Sequence, residues 1–432
     1  MDLFIVITLA LLAIMGIIVG VSNDAVNFLN SAFGSKVAKK NVILSVAGAG
    51  VMIGVMTSSG MMDVARSGVF YPERFSYQEI MILFLGMMLS NIILLDIYNS
   101  LGLPTSTTVS LVFGLLGSAL ALAFYNVWGG DTAYSVGEYI NSGNALTIVS
   151  GILLSVVLAF LTGHLLMYIS RIIFSFRYHK IFSRYGALWC GVTIAGIIYF
   201  TVFKGLKSSG LVPAQLIEYV NDNTAISLLI LWAGSSVLLW VLQRLKVNIL
   251  RVAILAGTFS LALAFAGNDL VNFIGVPLAG LDAFNIAKEA GSTTILMEGL
   301  NQNLPAQFIF MLISGLIMIA TLWTSTKSMN VSQTEISLAG HGDEVEGEVN
   351  SNVFSRSIVR ASLNISNFID KVVPQSVQDY VSKRFEYEDV EKNGAPYDKI
   401  RAVVNITTAA LLISVGTSLK LPLSTTYVCF MV

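Results

Sequence analysis

Two short polar motifs, each present twice, hold the side chains of this apolar sequence whose types and spacing suit chemistry. The first reads Asn-Asp-x-Val-Asn-Phe. It supplies Asn23, Asp24 and Asn27 in one copy and Asn268, Asp269 and Asn272 in the other, each after a long apolar run. A charged side chain inside a bilayer costs about 2.5–3.5 kcal/mol on insertion scales, so Asp24 and Asp269 need a cation, a proton or hydrogen-bond donors. The flanking asparagines bring neutral carbonyl oxygens. Carboxylate, amide oxygen and unwound backbone carbonyl together make a hard-oxygen set suited to Na+, which makes Asn23, Asp24, Asn268 and Asp269 the candidate cation ligands and the two aspartates the candidate metal-ion contacts. The competing reading is that Asn and Asp merely cap a helix at the membrane edge; two copies at corresponding places favour function.

The second motif reads Leu-Pro-x-Ser-Thr-Thr, at Leu103 to Thr108 and again at Leu421 to Thr426. Proline ends the preceding helix and suits the first turn of the next. The hydroxyls that follow cluster at a helix N-terminus, where free N–H groups and the helix dipole favour an anion. Ser106, Thr107, Thr108, Ser424, Thr425 and Thr426 offer up to six O–H donors, with ordinary N-capping as the alternative. Neither motif contains Arg or Lys; Lys420 flanks only the second, opposite Gly102. An anion here would be held by hydroxyls, amides, helix ends and co-bound cations that bridge it to the acidic residues.

The elements that must position these residues are membrane helices. Of the 432 residues, 55% are hydrophobic and 12% charged, with a net charge of -1. A soluble domain carries roughly 25% charged residues, so this chain cannot cover itself with polar surface in water. The near-neutral balance gives no electrostatic case for nucleic acid. Cys190 and Cys429 lie far apart in apolar stretches and suggest neither a metal site nor a disulfide framework.

Taking about 20 apolar residues per span, segments are expected near 3–21, 42–60, 79–98, 108–125, 147–170, 187–203, 225–243, 252–267, 306–324 and 401–418. An eleventh starts near 423 and is cut short at Val432, so the last segment reads as truncated. Clusters of basic residues at Lys36, Lys39 and Lys40, at Arg171 to Arg184 and at Arg244 to Arg251 place the N-terminus outside. Residues 325–399 hold twenty of the 51 charged side chains and fall on the cytoplasmic side. Ser325 to Asn352 reads as a flexible linker. The stretch with Phe354, Ile358, Ile365, Ile369 and Val372 reads as an amphipathic helix.

The motifs also fix the organisation. Asp24 precedes Ser106 by 82 residues and Asp269 precedes Ser424 by 155; the difference, 73, is close to the length of the hydrophilic segment. Without that insert the halves agree in order and spacing, a signature of duplication. The charge-derived topology runs the two copies in opposite directions, as in secondary transporters built from inverted repeats with interrupted helices. The expected fold is therefore an all-α polytopic membrane protein with two inverted-topology repeats, interrupted helices and about 11–12 transmembrane segments. Its parts are 1–125, the first repeat; 126–245, connecting helices; 246–324, the first part of the second repeat; 325–399, the insert; and 400–432, the final part. Secondary features are a local Asp63–Arg66 pair, a polar face of Asn91, Asp96 and Asn99, and His164 as a structural residue.

At these motifs the chain resembles the inorganic phosphate transporter (PiT) family of secondary transporters. The resemblance covers both halves, through Asn-Asp-x-x-Asn, Pro-x-Ser-Thr-Thr and the insert between them. It implies a non-enzymatic symporter that imports inorganic phosphate across the inner or plasma membrane with Na+ or H+ by alternating access, and no cofactor beyond that coupling ion. It further implies cation and phosphate roles for Asn23, Asp24, Asn27, Asn268, Asp269 and Asn272, and phosphate contacts from the Ser and Thr residues. Expected partners are phosphate, the coupling cation and the lipid bilayer; a homo-oligomer is compatible with the sequence, which does not specify an oligomeric state. The chain departs from the family pattern where Val46 to Val51 carries no acid, and where Val109 and Tyr427 stand in place of a histidine after Ser-Thr-Thr. Both departures leave the coupling ion and its stoichiometry open. Competing readings are a carrier of another oxyanion such as sulfate, an intramembrane aspartyl protease using Asp24 and Asp269, and an ion channel.

Overall fold

The structure, a computed structural model, describes the chain apart from residues 1, 57–62, 131–133, 206–211, 303–307, 340–355, 358, 361–362, 365–372, 387–394, 397, 420 and 422. The described residues form helices joined by turns and short 3-10 or π segments. In chain order they are α1 (Asp2–Gly34), α2 (Lys40–Met56), α3 (Asp63–Ser67), α4 (Tyr77–Leu101), α5 (Thr107–Gly129) and α6 (Ser142–Ile173). There follow α7 (His179–Ile198), α8 (Ala214–Asp222), α9 (Thr224–Arg244), α10 (Ile249–Ala290) and α11 (Phe308–Thr324). The last are α12 (Thr326–Ala339), α13 (Gln375–Phe385), α14 (Lys399–Ser418) and α15 (Thr425–Met431).

Among the described residues, eight helices are long and apolar enough to cross a membrane, or nine if the α11–α12 pair, bent by 67°, counts as one span. The protein is a multi-pass membrane protein. Each of the eleven expected segments has a helix; the count of eight arises because α2 and α11 each span 17 residues and α15 spans 7. Local chemistry sets several ends. Ser76 opens α4 with a capping box to Glu79, and Gly102 closes it in the left-handed region at φ 68°, where a side chain would be strained. Pro104 then prevents direct continuation, so α4 and α5 are two helices with Ser106 as the N-cap of the second.

α10 is the organising element. Its 42 residues run about 63 Å, and it packs against α1, α2, α4, α7 and α14. Its central stretch is buried on all faces, as expected of a helix apolar all round. α2 approaches it closely: a Cβ at Gly50 or Gly54 would stand 2.4 Å from the carbonyl oxygen of Phe259 or Leu263, respectively. Within the stretch from Val46 to Val51, where an acid was expected by resemblance, Gly50 is thus a point of close backbone approach to α10.

Two expectations change. Both Asn-Asp motifs were expected just after a helix end, yet they lie inside continuous α1 and α10. No proline or glycine follows Phe28 or Phe273 directly, so the helix continues, and Pro277 is accommodated inside it. The backbone carbonyls there belong to helix, not to an unwound segment; among the described residues the breaks beside the candidate site lie at the Leu-Pro motifs. Second, the start of the supposed linker is a helix: α12 packs on α1 and α4 with Ser328, Ser332 and Glu335 buried. Arg66 pairs with Asp282 of α10 at 2.9 Å; the expected Asp63–Arg66 pair falls on the Asp63 side chain, which lies outside the described residues. Phe354, Ile358, Ile365, Ile369, Val372 and Lys420 also lie outside them.

Candidate functional site

All twelve candidate residues converge, and none is more than 5% exposed. α1 and α10 present Asn-Asp from mid-helix. The α4–α5 and α14–α15 breaks present the hydroxyls from the first turns of α5 and α15. Ser106 and Ser424 are the N-caps, accepting from the N–H groups of Val109 and Tyr427 at 3.2 and 3.1 Å. The Ser424 hydroxyl also donates to Ser106 at 2.7 Å, joining the two helix starts.

The threonines tie the halves together. Asp24 accepts from Thr107 at 2.6 Å and, from the other half, Thr426 at 3.1 Å. Asp269 accepts from Thr425 at 2.6 Å and, from the other half, Thr108 at 2.9 Å. Thr426 also approaches the Thr105 carbonyl and Thr108 the Leu423 carbonyl, both at 3.1 Å. Asn27 donates to Thr425 and Thr426 at 3.4 and 3.2 Å, and Asn272 to Thr107 and Thr108 at 3.1 and 3.0 Å. Every one of these bonds has its counterpart under exchange of the two motif copies.

The asparagines at the motif starts differ. Asn23 accepts from the Thr105 N–H at 2.8 Å and donates to Asn99 at 2.7 Å and to the Leu103 carbonyl at 3.1 Å. Asn268 donates to Asp269 at 3.1 Å and the Leu423 carbonyl at 3.0 Å. The Oδ1 atoms of Asn27, Asn268 and Asn272 are buried without a partner. Each such acceptor costs about 1–3 kcal/mol. Three orphaned amide oxygens beside two carboxylates form an oxygen-rich cluster with no cationic side chain among its described partners, a donor set that suits a hard cation.

The hydroxyls are not free donors as the sequence suggested. A hydroxyl carries one proton, and those of the four threonines face carboxylates or nearby carbonyls. An anion can take them only if something else satisfies Asp24 and Asp269. No described hydrogen bond joins the two aspartates directly. The expected polar face of α4 also divides: Asn99 reaches the site and the Val19 carbonyl, Asn91 accepts from Ser110 at 2.5 Å, and Asp96 pairs with Lys327 of α12 at 2.6 Å. His164 stacks on Phe160. Asn30, Ser325 and Glu335 were missed, although the 3–4–3 spacing of Ser325, Ser328, Ser332 and Glu335 was visible.

Comparison with known proteins bears on this geometry. The sequence model described as "Phosphate transporter family" matches residues 20–335. A Thermococcus kodakarensis protein named "Putative phosphate permease" is 26% identical over 285 residues, 62% of this chain and 64% of that protein; the match thus spans under two thirds of the relative's length. A solved structure of "The sodium-dependent phosphate transporter" aligns with a TM-score of 0.66 over 99% of this chain and 88% of its own. Its 16% identity speaks for a shared fold.

Proposed function

The chain belongs to the phosphate transporter family, and from that premise we propose that it carries inorganic phosphate across a cell membrane together with Na+ or H+, by alternating access at the Asp24–Asp269 centre. The observation that carries this reading is the exchange of threonine donors between the halves beside three unpartnered amide oxygens. Cations take the carboxylates and the oxygens of Asn27, Asn268 and Asn272. That frees the protons of Thr107, Thr108, Thr425 and Thr426 to turn to phosphate, with Ser106 and Ser424 at the helix starts. Without cations the donors stay committed to Asp24 and Asp269, so anion binding is coupled to cation binding through a shared set of protons.

In this reading the halves are inverted relative to each other and rock about a fixed centre, with the N-terminus outside. Phosphate is favoured over sulfate by the family, since hydroxyls alone do not identify the oxyanion. Each carboxylate has its own pair of hydroxyls, which suits ion coordination better than the shared proton of a protease dyad.

Uptake of labelled phosphate into proteoliposomes under an imposed Na+ or H+ gradient tests the reading, with sulfate as competitor. Concentrative uptake that sulfate does not suppress is expected, together with its loss in folded Asp24→Asn and Asp269→Asn. Unchanged uptake in both variants would remove the site. Counterflow of labelled phosphate separates a carrier from a channel.

A further inference from the structure

Among the described residues, one buried carboxylate lies outside the two-aspartate centre. Glu335, on α12, is 4% exposed, and its one described partner is the Asn30 amide, which donates to it at 2.5 Å. A neutral donor does not balance a full negative charge in a low-dielectric setting. Beside it on the same helix face, at i and i+3, Ser332 is 1% exposed, and its Oγ has no partner.

The helices hold this pair of oxygens firmly. α12 lies along the motif segment of α1, joined by Ser22 to Ser325 at 2.7 Å at one end and by Asn30 to Glu335 at the other. Lys327 bonds Asp96 and Ser100 of α4 at 2.6 and 3.2 Å, so the nearest basic residue of α12 is turned to a different helix. Asn23, Asn27 and Asn30 recur at i, i+4 and i+7 and share one stripe of α1. Asn30 therefore stands about 9 Å along the axis from Asp24, on a polar line leading from the centre.

We propose that Glu335 and Ser332, with Asn30 as the side chain that orients the carboxylate, form a second alkali-cation site between α12 and α1. One carboxylate and neutral oxygens match a single positive charge, which favours Na+ over a divalent ion. The site supplies an acid in a chain whose α2 has none. The inference rests on the burial and contacts of Glu335 and does not depend on phosphate being the cargo.

The test uses the purified full chain in detergent without phosphate. Its Tm, read by tryptophan fluorescence, is followed as NaCl replaces choline chloride at constant ionic strength. A folded Asp24→Asn, Asp269→Asn double variant is expected to keep a Na+-dependent rise in Tm that further Glu335→Gln removes. Ser332→Ala is expected to raise the half-saturating Na+ by roughly tenfold without lowering the Na+-free Tm, because its hydroxyl bonds nothing there. If the double variant does not fold, binding of labelled Na+ to the otherwise unaltered chain should fall by one ion in Glu335→Gln. No Na+ response in the folded double variant overturns the proposal, as does a response indifferent to Glu335→Gln. So does an effect that lowering the pH in choline reproduces in full without Na+, or unchanged labelled-Na+ binding in Glu335→Gln.

Discussion

The two copies of the Asn-Asp motif make the same threonine bonds but supply their carboxylates unequally. Asp24 accepts from two hydroxyls. Asp269 accepts from two hydroxyls and from the amides of Asn268 and Asn272 at 3.1 and 2.7 Å. The first-half asparagines are used elsewhere: Asn23 latches α1 to the α4–α5 break, and Asn27 reaches only threonines. The two motif copies therefore share their threonine donors and differ in the surrounding amides. Asp24 depends more on an external cation than Asp269 does.

This asymmetry can be broken most visibly at the hydroxyls. Thr107→Val leaves Asp24 one donor, whereas Thr425→Val leaves Asp269 three. A hydrogen bond to a charged group contributes about 1.5–3 kcal/mol. Thr107→Val is expected to cost that much in the cation-free protein, and Thr425→Val clearly less, both read as loss of Tm. Equal losses would mean the amides do not compensate.

A smaller contrast lies at the second asparagines. Asn272→Ala removes a direct donor to Asp269 and should weaken phosphate affinity by about tenfold, read by calorimetry with cation saturating. Asn27→Ala touches no carboxylate and should weaken it less.

The smallest expected difference concerns Asn23 and Asn268. Asn23→Ala strands the partly buried Thr105 N–H and should cost about 1 kcal/mol. Asn268→Ala also deletes an unpaired oxygen and should cost less, measured as relative Tm shifts in the two variants.

Much of this centre was legible because rare polar residues stood out against an apolar background and recurred in register. All twelve candidates meet, and the breaks at Leu103 and Leu421 follow from proline chemistry. What the sequence hid has physical causes. The continuation of α1 past Asn27 and of α10 past Asn272 has no local marker, because nothing in those residues breaks a helix and packing around α10 accommodates Pro277. α12 escaped notice because its buried face carries Ser328, Ser332 and Glu335 beside a single buried apolar residue, Val331, and a hydropathy reading assigns such a face to water. Arg66 and Asp282 are 216 residues apart, and only the tertiary packing of α3 against α10 brings them together.

The central claim is that cations release threonine protons to the anion. Calorimetric titration of phosphate into the purified protein, with saturating NaCl and with choline chloride at matched ionic strength and over a range of pH, tests it most directly. The account predicts phosphate affinity at least about tenfold higher with the coupling cation, a coupling of about 1.4 kcal/mol or more, and loss of that gain in Asp24→Asn. Phosphate binding of equal strength with and without Na+ at every pH would contradict it.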